Sequence, residues 1–222
     1  VLFEGAQSVM LDVQRGTVPF VTSSSTLVGA AYSGGDLPPK YHRKSIGVAK
    51  LLMSRVGRGP FASEFGGARS ESYCMEEGGA KHTRDFEKSS YDVQKLLQSE
   101  DPFEVGIAMR MLSHEYGTVT GRPRRMGAFD IAQLRDAVID NGIDEIYLTK
   151  ADLLQCFAQT KLGTIPVVTE YTIAQGEESR KTPVTLEDFA ALKPEYAAYK
   201  PFVGSLAGIK KFDDLPDRKS GV

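Results

Sequence analysis

Gly117-Thr118-Val119-Thr120-Gly121-Arg122-Pro123-Arg124-Arg125 is the stretch whose residue types most plainly carry chemistry. Two glycines frame a short hydroxyl-bearing loop that runs into three arginines, the first held apart from the others by a proline. Backbone N–H groups, threonine hydroxyls and guanidinium forks all suit a ligand rich in carboxylate or phosphate oxygens. A solvated basic turn or a nucleic-acid patch is the competing reading of an isolated R-x-R-R. Other segments ask for the same kind of ligand. Thr149-Lys150-Ala151-Asp152 closes an apolar strand and reads either as an exposed Lys/Asp turn or as a guanine reader, whose carboxylate accepts from both N1-H and the exocyclic amine while the lysine stem lies along the base. Gln7 follows the Gly5 turn, where its amide suits a purine edge. Thr22-Ser23-Ser24-Ser25-Thr26 places five hydroxyls in a row, which reads as a phosphate-binding loop or a plain polar one.

The elements that position these residues alternate between helix and strand. Val1–Phe3 reads as a buried strand already in progress, which suggests a fragment, and Thr17–Thr22 as a second short strand. Ile46, Val48, Ala49, Leu51, Leu52, Met53 and Val56 fit a helix over residues 44–56, broken by Gly57, Gly59 and Pro60. Residues 66–99 are polar and charged and read as a surface excursion. Asp101-Pro102 starts a helix to about His114, and a second runs from about Phe129 to Asn141 with Gly142 as its cap. Glu145–Thr149 is the strand that ends in the T-K-x-D turn. Farther on, Ile165–Ile173 and Lys181–Val184 flank a hairpin, Thr185 caps a short helix through Leu192, and residues 213–221 form a turn-like end. This is the rhythm of an α/β protein, with a largely parallel sheet and flanking helices.

Composition narrows the partners. The chain has 222 residues, 41% hydrophobic and 25% charged, with a net charge of -2, enough to bury a core and too nearly neutral for a general nucleic-acid binder. Cys74 and Cys156 form no metal or disulfide pattern, and His42, His82 and His114 share no ligand spacing. No apolar run approaches the roughly 18 residues of a membrane span. A cytoplasmic location follows as the expectation.

Five ordered stretches together resemble one family: residues 1–7, residues 16–24, Gly57-Arg58-Gly59-Pro60-Phe61, residues 117–125 and residues 148–152. The chain resembles the middle and later part of adenylosuccinate synthetase, which joins aspartate to IMP using GTP. The resemblance implies a P-loop-type nucleotide-dependent ligase fold lacking its N-terminal part, with residues 1–222 as a partial domain and a polar insertion at about 66–99. It implies that Gln7 meets the purine of IMP, Thr22 its 5′-phosphate and Arg122 its ribose. Residues 118–124 would close over aspartate, which Thr118, Val119, Thr120, Arg122 and Arg124 contact, and Arg124, Lys150 and Asp152 would bind GTP. The family's phosphate loop, catalytic aspartate and histidine lie upstream of the matched stretches, so Mg²⁺ ligands are expected outside this chain and the chain alone is expected not to turn over. Homodimerisation, with a partner arginine completing the IMP site, is likewise implied. Ser8 replaces a usual glycine, Gln14 an aspartate and Val119 a threonine. Two alternatives stand beside this reading: a phage relative that joins aspartate to dGMP, and a non-catalytic nucleotide- or RNA-binding module.

Overall fold

The computed structural model describes residues 1–173, 178–179, 192–202, 204 and 206. Its helices are α1 (Ala30–Gly34), α2 (Gly67–Cys74), α3 (Glu76–Lys81), α4 (Arg84–Ser90), α5 (Val93–Leu97), α6 (Pro102–Ser113) and α7 (Ile131–Asn141). The strands are β1 (Ile46–Lys50), β2 (Met53–Arg55), β3 (Arg125–Gly127), β4 (Phe129–Asp130), β5 (Glu145–Thr149), β6 (Ile165–Ile173), β7 (Glu178–Ser179) and β8 (Leu192–Tyr199). β1 pairs parallel with β5, and β4 parallel with β6, while β2 with β3 and β6 with β7 and β8 are antiparallel. The α/β class expected from the sequence is the observed one.

α6 lies at the centre. Asp101 caps it by accepting from the Phe103 N–H, Pro102 occupies its first turn, and Phe103, Val105, Ile107, Ala108 and Met109 are all buried. A helix apolar on nearly every side belongs inside a protein. Leu52, Leu96, Leu97, Met126 and Phe157 complete the same core. Gly66 sits at φ +84°, and a Cβ there would lie 2.5 Å from the Cβ of Phe103, so glycine is required where the chain enters α2 against α6. α7 starts on the Asp130 cap, with the carboxylate accepting from the Gln133 N–H, and ends at Gly142 with φ +55°. Both long helices and β5 therefore fall where the sequence places them.

Several expectations need correction. Residues 44–56 form β1 and β2, because the apolar positions that suit a helix also include the β-branched Ile46 and Val48, and β5 offers a parallel partner from Ile46↔Glu145 to Lys50↔Thr149. Val1–Phe3 is exposed and has no pairing strand among the described residues. Residues 17–22 form a turn containing the cis Val18–Pro19 bond instead of a strand; a proline cannot donate to a ladder. Leu192 begins β8 instead of ending a helix, and the rest of that helix, like Lys181–Val184 and residues 213–221, lies outside the described residues.

The polar stretch 66–99 is the largest correction. It holds α2 to α5, and it contributes Cys74, Leu96, Leu97 and Glu87 to the interior. Glu87 is fully buried and meets Arg110, itself 1% exposed: Nη2 donates to Oε1 at 2.5 Å and Nε donates to both oxygens at 3.1 Å. Tyr116 adds its hydroxyl to Oε2 at 2.5 Å. Charge in the sequence suggests solvent, but a charge with this many partners can be interior. Burial would lower the Arg110 pKa, but the hydrogen bonds and charge of Glu87 raise it above the usual guanidinium value, so the guanidinium stays charged.

Removing one member of such a pair strands the other in a dry interior. Glu87→Ala is therefore expected to lower the unfolding free energy by about 3–5 kcal/mol. Urea denaturation followed by circular dichroism checks this, and a loss below about 1 kcal/mol would place the pair in contact with water.

Candidate functional site

The arginine stretch folds as a hairpin with a fixed base and an open tip. Tyr116 and Pro123 form an antiparallel bridge, the Gly117 N–H donates to the Arg122 carbonyl at 2.8 Å, and the Arg124 N–H donates to the Glu115 carbonyl at 3.0 Å. The Gly121 N–H closes the turn on the Gly117 carbonyl at 2.9 Å, with Gly121 at φ +65°. Thr118, Val119 and Thr120 are exposed, and Val119 reaches 97%. The base is held from behind, because Arg110 Nη1 donates to the Arg124 carbonyl at 3.0 Å while Tyr116 is bonded to Glu87.

Its arginines divide by burial. Arg122 is exposed, and Arg124 is partly exposed with one Nη1 bond to Glu115 Oε2 at 2.8 Å. The Nε of Arg124 is buried and has no partner among the described residues. Arg125, by contrast, is buried in a two-point bond to Glu64, with Nε 2.9 Å from Oε1 and Nη2 2.5 Å from Oε2. Its Nη1 also reaches the Gly59 carbonyl at 2.6 Å. The expectation that all three arginines address a ligand is corrected: Arg125 holds the 57–59 loop in place. That loop needs Gly59 at φ +116°, where a Cβ would come 2.7 Å from the Cβ of Phe20.

A cavity of about 360 Å³ opens between this loop, the hairpin and the end of α2. Gly57, Cys74, Thr120, Arg122, Pro123 and Arg124 are among its walls. The size and the mix of apolar wall with convergent cationic groups suit a small anionic molecule. Cys74 adds bulk and no nucleophile, since burial pushes its thiol up to about 11.

The hydroxyl-rich segment reaches the same region through Arg55. In the β2–β3 ladder Arg55 lies opposite Arg125. Its Nη2 donates to Thr17 Oγ1 and to the Phe20 carbonyl, each at 3.1 Å, which docks the 17–22 turn on the ladder. Burial, and the neighbouring charge of Arg125, bring the Arg55 pKa down to about 10. Asp12 fixes the rest of the segment by accepting from the N–H groups of Gln14, Arg15 and Thr26 and from the Ser25 hydroxyl, at 2.7–2.9 Å. Thr26 Oγ1 donates to the Ser8 carbonyl, so two of the five hydroxyls, those of Ser25 and Thr26, serve the loop itself. Thr22 donates its N–H to the Leu11 carbonyl, and Gln7 is exposed with φ +62°.

The T-K-x-D turn lies beside the end of β1. Lys150, at φ +64°, donates Nζ to the Ser113 carbonyl at 2.9 Å, and Asp152 is exposed in the first turn of a 3-10 helix spanning Ala151–Gln159. Ser113 stands two residues before Glu115, so the turn and the hairpin share the end of α6. Asp12, Arg55, Glu87 and Glu115 went unnoticed in the sequence, because a positioning residue announces itself by burial and partners that are distant along the chain.

The histidines have local partners. His42 lies between Tyr32 Oη and Ser45 Oγ, 3.0 Å from each, His82 stacks on Tyr73, and His114 caps α6 at φ +57°. Among the described residues no three His, Cys, Asp or Glu side chains converge as metal ligands. No described helix is long and apolar enough to cross a membrane.

Comparison with known proteins adds the kinship. The family model for adenylosuccinate synthetase matches residues 1–221. Adenylosuccinate synthetase 2 of Cupriavidus pinatubonensis is 58% identical over 168 residues, 76% of this chain and 37% of that protein. The Geobacter sulfurreducens adenylosuccinate synthetase is 35% identical over 98% of this chain and 40% of its own length. The solved structure of the fully ligated Plasmodium falciparum adenylosuccinate synthetase superposes with a TM-score of 0.71 at 32% identity, covering 96% of this chain and 41% of that one. The chain thus spans about two fifths of the length of these relatives.

Asp12 yields a pH test. Burial alone would raise its pKa, but the N–H groups of Arg15, Gln14 and Thr26 and the Ser25 hydroxyl outweigh it and bring it from 3.8 to about 2. The stability it contributes is complete above about pH 4 and is lost as pH falls through about 2. The stability gap between the native chain and Asp12→Asn should therefore be widest at pH 5–7 and shrink towards pH 2, read from urea midpoints at each pH. A gap independent of pH would contradict this.

Proposed function

The chain belongs to the adenylosuccinate synthetase family, and from that premise we propose that it carries the acceptor, aspartate and guanine-reading groups of a ligase that joins L-aspartate to IMP at the expense of GTP, in purine nucleotide biosynthesis. The observation that carries this reading is the cavity walled by Arg122, Arg124 and Thr120 on a pinned hairpin, in a chain matched to the family over residues 1–221. In the reaction, the IMP 6-oxygen attacks the γ-phosphorus of GTP as N1 gives up its proton to a base outside this chain, GDP leaves, and the aspartate amine then displaces the phosphate from C6. Phosphate departs as that bond breaks, and the amine gives up its proton.

The residues divide as follows. Arg122 and Arg124 grip the aspartate carboxylates, with the Thr118, Val119 and Thr120 tip folding over them; an exposed tip on a fixed base suits a lid that excludes water from a reactive phosphoryl intermediate. Arg122 also meets the ribose, Thr22 the 5′-phosphate and Gln7 the purine of IMP. Arg124 further reaches GTP, whose guanine is read by Asp152 with the Lys150 stem beside it. Mg²⁺, held by residues outside this chain, would supply charge neutralisation at the transferred phosphoryl group. We place the working enzyme in the cytoplasm as a homodimer.

Guanine reading is the most direct test. Titration calorimetry with GDP and ADP should show selective GDP binding, and Asp152→Asn should weaken GDP by about tenfold or more while leaving ADP unchanged. Equal affinities for the two nucleotides in the native chain would overturn the assignment. So would RNA binding with a steep salt dependence and no guanine preference.

A further inference from the structure

We propose that Glu115 is a positioning residue that sets the Arg124 guanidinium for carboxylate recognition, with Lys50 as its second cation. The inference rests on the reading of Arg124 as a group that grips the aspartate substrate, and it goes beyond that reading by naming what holds the grip in place.

Glu115 is 4% exposed, and each of its oxygens is committed: Oε1 accepts from Lys50 Nζ at 2.7 Å and Oε2 from Arg124 Nη1 at 2.8 Å. The residue holds Arg124 twice, since its backbone carbonyl also accepts the Arg124 N–H at 3.0 Å. Arg110 takes the Arg124 carbonyl from the other side. With the backbone fixed at both polar groups, the freedom left to Arg124 is its side-chain torsions, and Oε2 is the one atom bonded to its guanidinium among the described residues.

The charge count gives this contact a purpose. Two cations against one carboxylate leave the cluster at +1, and the side chains of Lys50 and Arg124 remain 37% and 30% exposed while that of Glu115 is 5% exposed. The carboxylate thus sits behind and its cations in front, with Arg124 in the cavity wall. An anion entering the cavity meets a guanidinium already oriented, so less side-chain entropy is lost on binding. Lys50 has an independent anchor in Ser54 Oγ at 2.8 Å, which keeps it beside Glu115 whether or not a ligand is bound at Arg124. Burial would raise the pKa of Glu115, but Lys50 and Arg124 hold it below the usual carboxylate range, so it remains charged at neutral pH.

Gln in this position cannot do the same work. Its amide oxygen can accept from one cation, while its NH₂ turns a donor towards the other. The negative charge opposite Arg124 is lost in either orientation, and one of the two cations also loses its hydrogen bond.

The test uses the chain with arginine side-chain NMR and titrations of L-aspartate and GMP. The native chain should show resolved, slowly rotating Nη signals for Arg124, and Glu115→Gln should average them. In that variant the L-aspartate dissociation constant should rise about tenfold while that of GMP stays within about twofold. Glu115→Asp, which keeps the charge, should return L-aspartate binding to within about threefold of native. Unchanged L-aspartate binding in Glu115→Gln overturns the proposal, as does a parallel loss of GMP, which would mark Glu115 as a structural residue alone. Should the native chain bind no L-aspartate, the substrate reading of the cavity fails as well. The hold on Arg124 is then decided by its Nη signals, and averaged signals in the native chain overturn it.

Discussion

Arg110 brings a full positive charge into a region closed to water, and Glu87 meets it there with both carboxylate oxygens. Much of the site is arranged around that pair. Tyr116, on the incoming side of the hairpin, bonds to Glu87, and the carbonyl of Arg124, on the outgoing side, accepts from Arg110. The two flanks of a six-residue tip, Gly117 to Arg122, are therefore tied to one buried point. Because Arg110 belongs to the central helix α6 and Glu87 to α4, the hairpin is fixed to the core itself. A buried pair adds little net stability compared with apolar packing, but it discriminates strongly against any arrangement that separates its members.

The same logic sorts the cations by task. Arg55, Arg110 and Arg125 point their donors at protein carbonyls, hydroxyls or carboxylates: Arg55 docks the 17–22 turn, Arg110 the hairpin base and Arg125 the 57–59 loop. Arg122 and Arg124 stay at the cavity. Residues from three stretches, 56–57, 74–75 and 117–124, line one opening, and the T-K-x-D turn is tied to the last turn of α6 through Lys150. The same residue type builds the architecture and walls the cavity, and burial separates the two settings.

How much of this was legible in the sequence follows from where the information resides. Local signals worked: Asp101-Pro102 and Gly142 mark helix ends by chemistry within a few residues, and Glu145–Thr149 reads as a strand from its own composition. The glycine-framed hairpin and the T-K-x-D turn were equally visible because their backbone demands are local. Residues 44–56 misled, since Ile46, Val48, Leu51, Leu52 and Val56 fit either period and the choice was made by pairing with β5, about a hundred residues away. Residues 66–99 misled for a related reason: Glu87 looks solvated until Arg110 and Tyr116 are seen beside it. Glu115 was hidden in the same way, as one acidic residue ahead of a glycine loop whose partners are Lys50 on β1 and Arg124 across the base of the same hairpin.

A pinned base with a free tip is the claim on which the account of the site rests, and amide hydrogen exchange measures it directly. At neutral pH the Arg124 amide should exchange as slowly as the buried turns of α6, whereas those of Thr118, Val119 and Thr120 should exchange close to the rate of an unstructured peptide. Fast exchange at Arg124 to the same extent as at the tip would mean that the hairpin opens from its base, and the arginines would then be presented by a mobile segment instead of a fixed one.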